Sequence, residues 1–337
     1  MAKQEITYDQ ILAPLKRKEY KPIYLFMGEE AYYIDLLSDY IQDNVLNEIE
    51  REFNLSVLYG KDVDMATVIN TAKRYPMMAP YQVVIIKEAQ HIKEYELLSH
   101  YIENIQPSTI LVLCYKYGTI DKRKKVVSDI AKSGVIFQSN TLRDYQVVGW
   151  IKEYVRNKGL SIDEKAAIML SEFLGTDLGR IVNEVDKLIF TKPENSNQIT
   201  DDLIERNIGI SKDYNNFELQ NAIIYKDITK ANKIVFYFEK NPKNNPMVIT
   251  ISVLFSFFSN ILQYHYTKDK SQGNIASALG VNSFFVKDYV KAANVYNAWK
   301  CMQSISLIRE YDAKSKGIDS RAESGELLKE LIFKLMH

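Results

Sequence analysis

The sequence is short of nearly everything that would give the chain a chemistry of its own. It holds 2 cysteines and 4 histidines in 337 residues. Cys114 and Cys301 make no CxxC spacing and have no histidine pair beside them, which excludes a zinc finger or ribbon and leaves two reduced thiols as the simplest reading. His91, His100, His265 and His337 are scattered, without an HExxH, a GxSxG or a nucleophile next to a base, so no catalytic set is found and no metal is expected. Charge of neither sign is in excess: 43 basic residues balance 43 acidic ones. No overall field then draws the chain to DNA or to anionic lipid, and any nucleic-acid contact must be local or shared with partners. Long apolar runs are missing too. The opening MAKQEITYDQ has none of the apolar core of a secretory signal. Met247 to Leu262 is broken by Thr250, Ser252, Ser256, Ser259 and Asn260 and falls short of the roughly 20 residues of a bilayer span. It is expected to be a buried helix in a cytoplasmic protein with no membrane partner.

What is present is the composition of a folded globular protein, 46% hydrophobic and 26% charged, at a length that calls for two or three domains. Up to about residue 140, short β-branched runs alternate with helix-period segments, the pattern of an α/β sheet with crossover helices. Strands are predicted at Ile23 to Met27, Leu55 to Tyr59, Val83 to Lys87, Ile110 to Cys114 and Val135 to Gln138. Several are apolar at consecutive positions, as central parallel strands covered on both faces are. Ile34, Leu37, Ile41 and Val45 fall at helical spacing. After Asn140 strand signals stop. Val147, Val148, Ile151 and Val155, then Ile181, Val185, Leu188 and Ile189, predict a small helical bundle to about residue 210. A second all-helical block begins near Phe217 and closes with Leu327 to Leu335. No internal repeat or low-complexity tract interrupts this plan.

Ile23 to Gly28 followed by a helix start is where a phosphate-binding loop would sit. The GxxxxGK[ST] pattern counted from Gly28 finds Tyr33, Ile34 and Asp35 at its diagnostic places, so the second glycine, the lysine and the magnesium-binding hydroxyl are all absent. Glu29 and Glu30 stand at the positive end of the helix that a phosphate would otherwise occupy; they stabilise a helix start and repel a triphosphate. Val83 to Ile86 is followed by Lys87 and Glu88, where an ATPase places an acidic pair for magnesium, and a lysine competes with the metal. No nucleotide or other cofactor is expected.

At this point several stretches together resemble one family. PIYLFMGEEAYYID, RYPMMAPYQVVIIKEAQ, GTIDKRKK, FELQNAI and YDAKSKG, in that order and spacing over nearly the whole chain, resemble the delta subunit of the bacterial DNA polymerase III clamp loader. The resemblance implies an AAA+-like α/β domain with a degenerate P-loop at residues 1–140, a helical lid domain at 141–210 and a helical collar domain at 211–337. It implies a subunit without catalysis in a DNA-directed DNA polymerase holoenzyme. That subunit binds and opens the ring-shaped sliding clamp (beta), while tau/gamma and delta-prime type subunits meet it through the collar and ATP is hydrolysed elsewhere in the assembly on primed DNA. In that family the clamp is gripped by a pair of apolar side chains just before the third strand, which here falls on Pro76, Met77, Met78 and Ala79. Taken by pattern alone, two methionines between a helix and a strand are more often partial core than a docking element.

Weaker signals remain. Lys122, Arg123, Lys124 and Lys125, placed by the pattern at the start of a helix, read as a solvated helix face or as a contact with DNA phosphates or a neighbouring subunit. Lys314, Lys316 and Arg321 near the last loop have the same two readings. Ile275 to Val281 followed by Phe285 to Ala292 resembles a helix-turn-helix, which raises the alternative of a DNA-binding regulator. Its second helix, however, offers Phe284, Phe285, Val286, Tyr289 and Val290 beside only Lys287 and Lys291, a surface for packing rather than for reading base edges. An active AAA+ ATPase with an atypical P-loop is the remaining alternative.

Overall fold

Ile23–Gly28 (β1) has no polar side, and every residue in it is buried. Such a strand must be covered on both faces and paired on both edges, so it becomes the inner strand of a sheet. A computed structural model of the chain, describing residues 6–209 and 211–337, shows that sheet. With Leu55–Tyr59 (β2), Gln82–Lys87 (β3), Thr109–Lys116 (β4) and Val135–Ser139 (β5), β1 forms five strands in the order β2-β3-β4-β1-β5, all parallel.

Parallel neighbours need crossovers; Tyr8–Lys16 (α1) precedes β1, and the connections between strands carry Ala31–Asn44 (α2), Glu48–Asn54 (α3), Met65–Ala72 (α4), Leu97–Glu103 (α5) and Lys125–Ser133 (α6). Successive β1 residues point to opposite faces. Ile23, Leu25 and Met27 pack with Met65 and Val68 of α4, Leu98 of α5 and Ile130 of α6, while Tyr24 and Phe26 pack with Leu15 of α1 and Ile34, Leu37 and Ile41 of α2. The order 5-1-4-3-2 with helices on both faces is AAA+-like.

The remaining elements are Asp144–Asn157 (α7), Ser161–Ile162 (β6), Glu164–Leu174 (α8), Leu178–Thr191 (α9), Gln198–Ile199 (β7), Asp201–Ile208 (α10), Asn216–Ile224 (α11), Ile228–Lys240 (α12), Met247–Tyr266 (α13), Gln272–Leu279 (α14), Val286–Val295 (α15), Ala298–Ser315 (α16) and Ser324–Met336 (α17). By contacts the chain gathers into two compact units, the residues up to Thr141 with Asp177–Gly179, and Leu142–Thr176 with Arg180 onward. The core of the C-terminal helices joins Leu219, Ile223, Ile234, Phe238, Phe258, Tyr296, Tyr311, Leu331 and Leu335.

Two expectations need correction. Strand structure does not stop at Asn140, because β6 and β7 pair in parallel as a two-stranded ladder, Ser161 with Gln198 and Ile162 with Ile199; two residues each are too few to leave a pattern. The α13 helix runs for 20 residues and, by length and composition alone, is long and apolar enough to cross a membrane. It is also only half buried: Ile251, Leu254, Phe258 and Ile261 face the core, and Val248, Ile249 and Phe255 face outward. The basic run lies at the start of a helix, as the pattern placed it: Lys122 and Arg123 precede α6, Lys124 is its N-cap and Lys125 its first residue.

Gly28 is the residue this sheet tolerates least in altered form. Its φ is +144°, and a Cβ built on it would lie 1.9 Å from the Ser139 carbonyl oxygen at the end of β5. A Gly28→Ala substitution is therefore expected to destabilise the protein by at least about 2 kcal/mol, since the strained backbone and the clash add. Urea denaturation of the two proteins measures this; equal midpoints would contradict the close approach.

Candidate functional site

Because all five strands of the sheet run the same way, it has one rim of strand C-termini and one of strand N-termini. In open α/β sheets the C-terminal rim is where ligands bind, and the degenerate loop lies there. Only Glu29 and Glu30 separate β1 from α2, a connection too short to wrap backbone N–H groups around phosphates. Glu30 is the N-cap of α2. Its buried carboxylate accepts the Tyr32 N–H at 2.8 Å, and its own N–H donates to the Ser139 carbonyl at 3.2 Å. Burial raises its pKa even so, with the hydrogen bond from Tyr32 opposing.

The next turns of α2 fill the rest of the rim with protein. Tyr33 packs its ring on Tyr8 at 5.1 Å, Ile34 lies in the core, and Asp35 pairs with Lys116 at the end of β4, 2.6 Å away. One turn on, the Lys87 ammonium at the end of β3 donates to Ser38 Oγ at 2.8 Å and to Asp39 at 2.7 Å. Burial opposes the Lys87 charge, but the Asp39 hydrogen bond and the nearby carboxylates outweigh it and raise its pKa. Beside it the Cys114 thiol is pushed up to about 11 by burial. The positions that would hold magnesium and phosphate thus carry a carboxylate cap and two lysine–carboxylate pairs. These residues do not fit a nucleotide.

The N-terminal rim is different. The connection from α4 to β3 exposes Tyr75, and beyond it Met77 is 62% exposed and Met78 fully so. Pro76 and Ala79 flank them half-buried, with Ala79 and Tyr81 packed against the core. Met78 is held in the left-handed region at φ +53°. The Met77 backbone meets the side chain of Asn54, the last residue of α3, which is 2% exposed.

The basic candidates are exposed but largely engaged. Arg123 pairs with Asp121, Lys124 with Glu96 and Lys125 with Glu103, and Lys122 is exposed. Lys314 pairs with Glu310 and Lys316 with Asp312 at the end of α16, while Arg321 lies exposed in the loop beyond. In the helix pair α14–α15, Lys287 sits over the Phe284 ring at 4.4 Å and Lys291 donates to the Tyr225 hydroxyl at 2.6 Å.

Comparison with known proteins agrees with this architecture at both ends of the chain. A family model described as "DNA polymerase III, delta subunit" matches residues 24–140, and one described as "DNA polymerase III delta subunit, C-terminal domain" matches residues 213–336. The chain belongs to the DNA polymerase III delta-subunit family. DNA polymerase III subunit delta of Bacillus subtilis (strain 168) is 26% identical over 333 residues, covering 95% of this chain and 93% of that one. The probable DNA polymerase III subunit delta of Aquifex aeolicus (strain VF5) is 20% identical over 308 residues, covering 87% and 86%. The solved structure of the Bacillus subtilis DNA clamp loader delta protein shares the fold at a TM-score of 0.55 and 23% identity, across 98% of this delta-family chain and 99% of that one.

Sequence reading singled out the methionines and the empty phosphate loop but missed Asn54 and Lys116. Asn54 carried one signal: it closes a helix opened by an Asn47–Glu50 capping box, immediately before a strand. Lys116 carried none, since its partner Asp35 is distant in sequence.

The Lys87 contacts predict a stability effect with a definite pH sign. A pKa raised in the folded protein contributes stability that is complete below the unfolded value, about 10.4 for lysine, and is lost as pH rises through the folded value. With Asp39 largely exposed, the contribution is roughly 1 kcal/mol. Lys87→Met should lower the urea midpoint accordingly at pH 8, and the gap to the parent protein should shrink as the pH rises past the unfolded lysine value and through the raised folded one; a gap that widens there would reverse the assignment.

Proposed function

We propose that this chain is the clamp-opening arm of a DNA polymerase III clamp loader. It grips a sliding clamp through Pro76, Met77, Met78 and Ala79 and has no nucleotide chemistry of its own. The observation that carries this reading is the pair of adjacent methionines standing exposed on a tied-down turn. Monomeric proteins commonly expose single apolar side chains, but a neighbouring pair held in a left-handed turn is suited to entering an apolar pocket on a partner. Each methionine so buried contributes roughly 1.5–3 kcal/mol before the costs of association, enough for a transient grip. Methionine adapts its shape to the pocket it enters.

Opening the ring then requires only that the tip bind the open clamp interface better than the closed one, which shifts the clamp toward opening. ATP would be bound and hydrolysed by tau/gamma-type partner subunits. On this reading the chain divides as residues 1–140 for the AAA+-like domain, 141–210 for the lid and 211–337 for the collar, the last meeting the tau/gamma and delta-prime type subunits in the cytoplasm. The cations at Lys122–Lys125, with Lys314, Lys316 and Arg321, would meet primed DNA or a neighbouring subunit, those held in surface ion pairs by exchanging their carboxylate partners, an exchange that costs little because such pairs contribute little.

Two measurements test this. Met77→Ser with Met78→Ser should weaken binding to the sliding clamp of the same organism at least tenfold, about 1.4 kcal/mol, with circular dichroism and melting temperature unchanged; a folded variant with unaltered clamp affinity removes the assignment. Magnesium-ATP should leave the melting temperature of the isolated chain where it was, because a ligand that does not bind the folded state cannot stabilise it. A saturable upward shift would instead favour an active ATPase.

A further inference from the structure

An exposed connection ordinarily moves, and a binding element that must be ordered on contact loses affinity in doing so. The connection between α4 and β3 is anchored at its stem, at its far end and at its centre. At the stem, the last carbonyls of α4 are taken up by buried side chains: Gln82 Nε2 donates to the Thr71 oxygen at 2.8 Å and Thr109 Oγ1 to the Ala72 oxygen at 2.8 Å. At the far end, Tyr81 meets the Tyr20 ring edge-on at 5.4 Å. At the centre stands Asn54. Its Oδ1 accepts the Met77 N–H at 2.6 Å, and its Nδ2 donates to the Met77 carbonyl at 3.0 Å and to the Glu50 carbonyl at 2.9 Å.

We propose that Asn54 is a positioning residue for clamp binding. Its carboxamide holds both sides of the Met77 residue as a neighbouring strand would, and so presents Met77 and Met78 in a fixed direction before the clamp arrives. The inference rests on reading those methionines as the clamp-contact pair.

The chemistry explains the residue type. Only a primary amide offers an acceptor for the Met77 N–H together with donors for two carbonyls. Aspartate keeps the acceptor but sets a carboxylate against the Met77 and Glu50 oxygens. Leucine has the size and neither function. The next residue, Met78, is left-handed, a conformation that surrounding structure must enforce in a non-glycine residue. The Asn54 hydrogen bonds act directly on the preceding residue. The parallel sheet also makes the contact possible, because Asn54 precedes β2 and Met77 precedes β3, so both lie on the same rim of adjacent strands.

The test measures clamp affinity of the full chain by surface plasmon resonance for the parent, Asn54→Ala, Asn54→Asp, Met78→Ala and the Asn54→Ala/Met78→Ala double variant. Asn54→Ala and Asn54→Asp are each expected to weaken binding about tenfold, about 1.4 kcal/mol. In the Met78→Ala background the Asn54→Ala loss should be clearly smaller than in the parent protein, since only Met77 is left for it to position. Full additivity, which a general loss of stability would produce, overturns the proposal. Normal affinity of the Asn54 variants alongside an impaired Met78→Ala overturns it while leaving the tip as the contact. Normal affinity of Met78→Ala overturns the tip reading and the proposal with it. Should the Asn54 variants fail to fold, amide exchange in the parent protein decides. The Met77 N–H is expected to exchange more slowly than that of exposed Tyr75, and an unprotected Met77 amide overturns the proposal.

Discussion

The close approach of Gly28 to Ser139 governs the rest of the first unit. β1 pairs on one side with β4 and on the other with β5, and at its C-terminal end the β5 backbone comes so near that no side chain fits. The chain must turn at once, and two residues later α2 begins with Glu30 as its cap. That short turn brings the first turns of α2 down over the strand ends. Asp35 then reaches Lys116 on β4, and Ser38 and Asp39 reach Lys87 on β3. A longer, glycine-rich connection would lift the helix and leave room for an anion cradled in backbone N–H groups. Here the positive end of the helix is answered from within by a buried carboxylate, and the lysines that could neutralise phosphates are committed to carboxylates of α2.

The rim where this fold class ordinarily binds ligand is therefore spent on stability, and the available surface lies at the opposite rim. A parallel sheet holds both rims rigidly with respect to each other through a dry core, so a tip fixed at the N-terminal rim is fixed to the whole domain. The methionines are not displayed on a loose loop. They extend from a connection whose stem and centre are tied to strands and a helix of the domain and whose far end packs on Tyr20. A force applied at the tip would pass into the domain body, as the proposed ring-opening role requires.

Much of this was legible in the sequence, and the reasons are physical. The inner strands β1, β3 and β4 announced themselves because burial on both faces leaves consecutive apolar residues, as in Ile23 to Met27 and Val83 to Ile86, while the half-buried edge strands β2 and β5 showed as short β-branched runs. The failed phosphate loop was legible because its chemistry depends on residue types at fixed spacing from Gly28. The two-residue strands β6 and β7 were not, since their pairing is set by tertiary contact rather than by local preference. The ion pairs across the C-terminal rim and the hold of Asn54 on Met77 join residues far apart in sequence, which no local pattern encodes. The methionines were ambiguous in the sequence, because the same two letters fit a half-buried core or a projecting tip, and it is their exposure in the structure that favours the second.

A small tip is also the arrangement that an arm of this kind needs energetically. Two methionines supply roughly 3–6 kcal/mol of gross burial, against association costs of several kcal/mol. The net grip is then weak when the tip is free to move and sufficient when it is held beforehand. Enlarging the apolar surface would raise affinity for open and closed clamp alike and shift nothing, because only differential affinity moves an equilibrium. Fixing the direction of a small surface, by contrast, favours the one clamp geometry that matches it. On the proposed function, selectivity for an opened ring would reside less in Met77 and Met78 themselves than in the carboxamide of Asn54 and the buried caps at Gln82 and Thr109, which hold the connection that carries them.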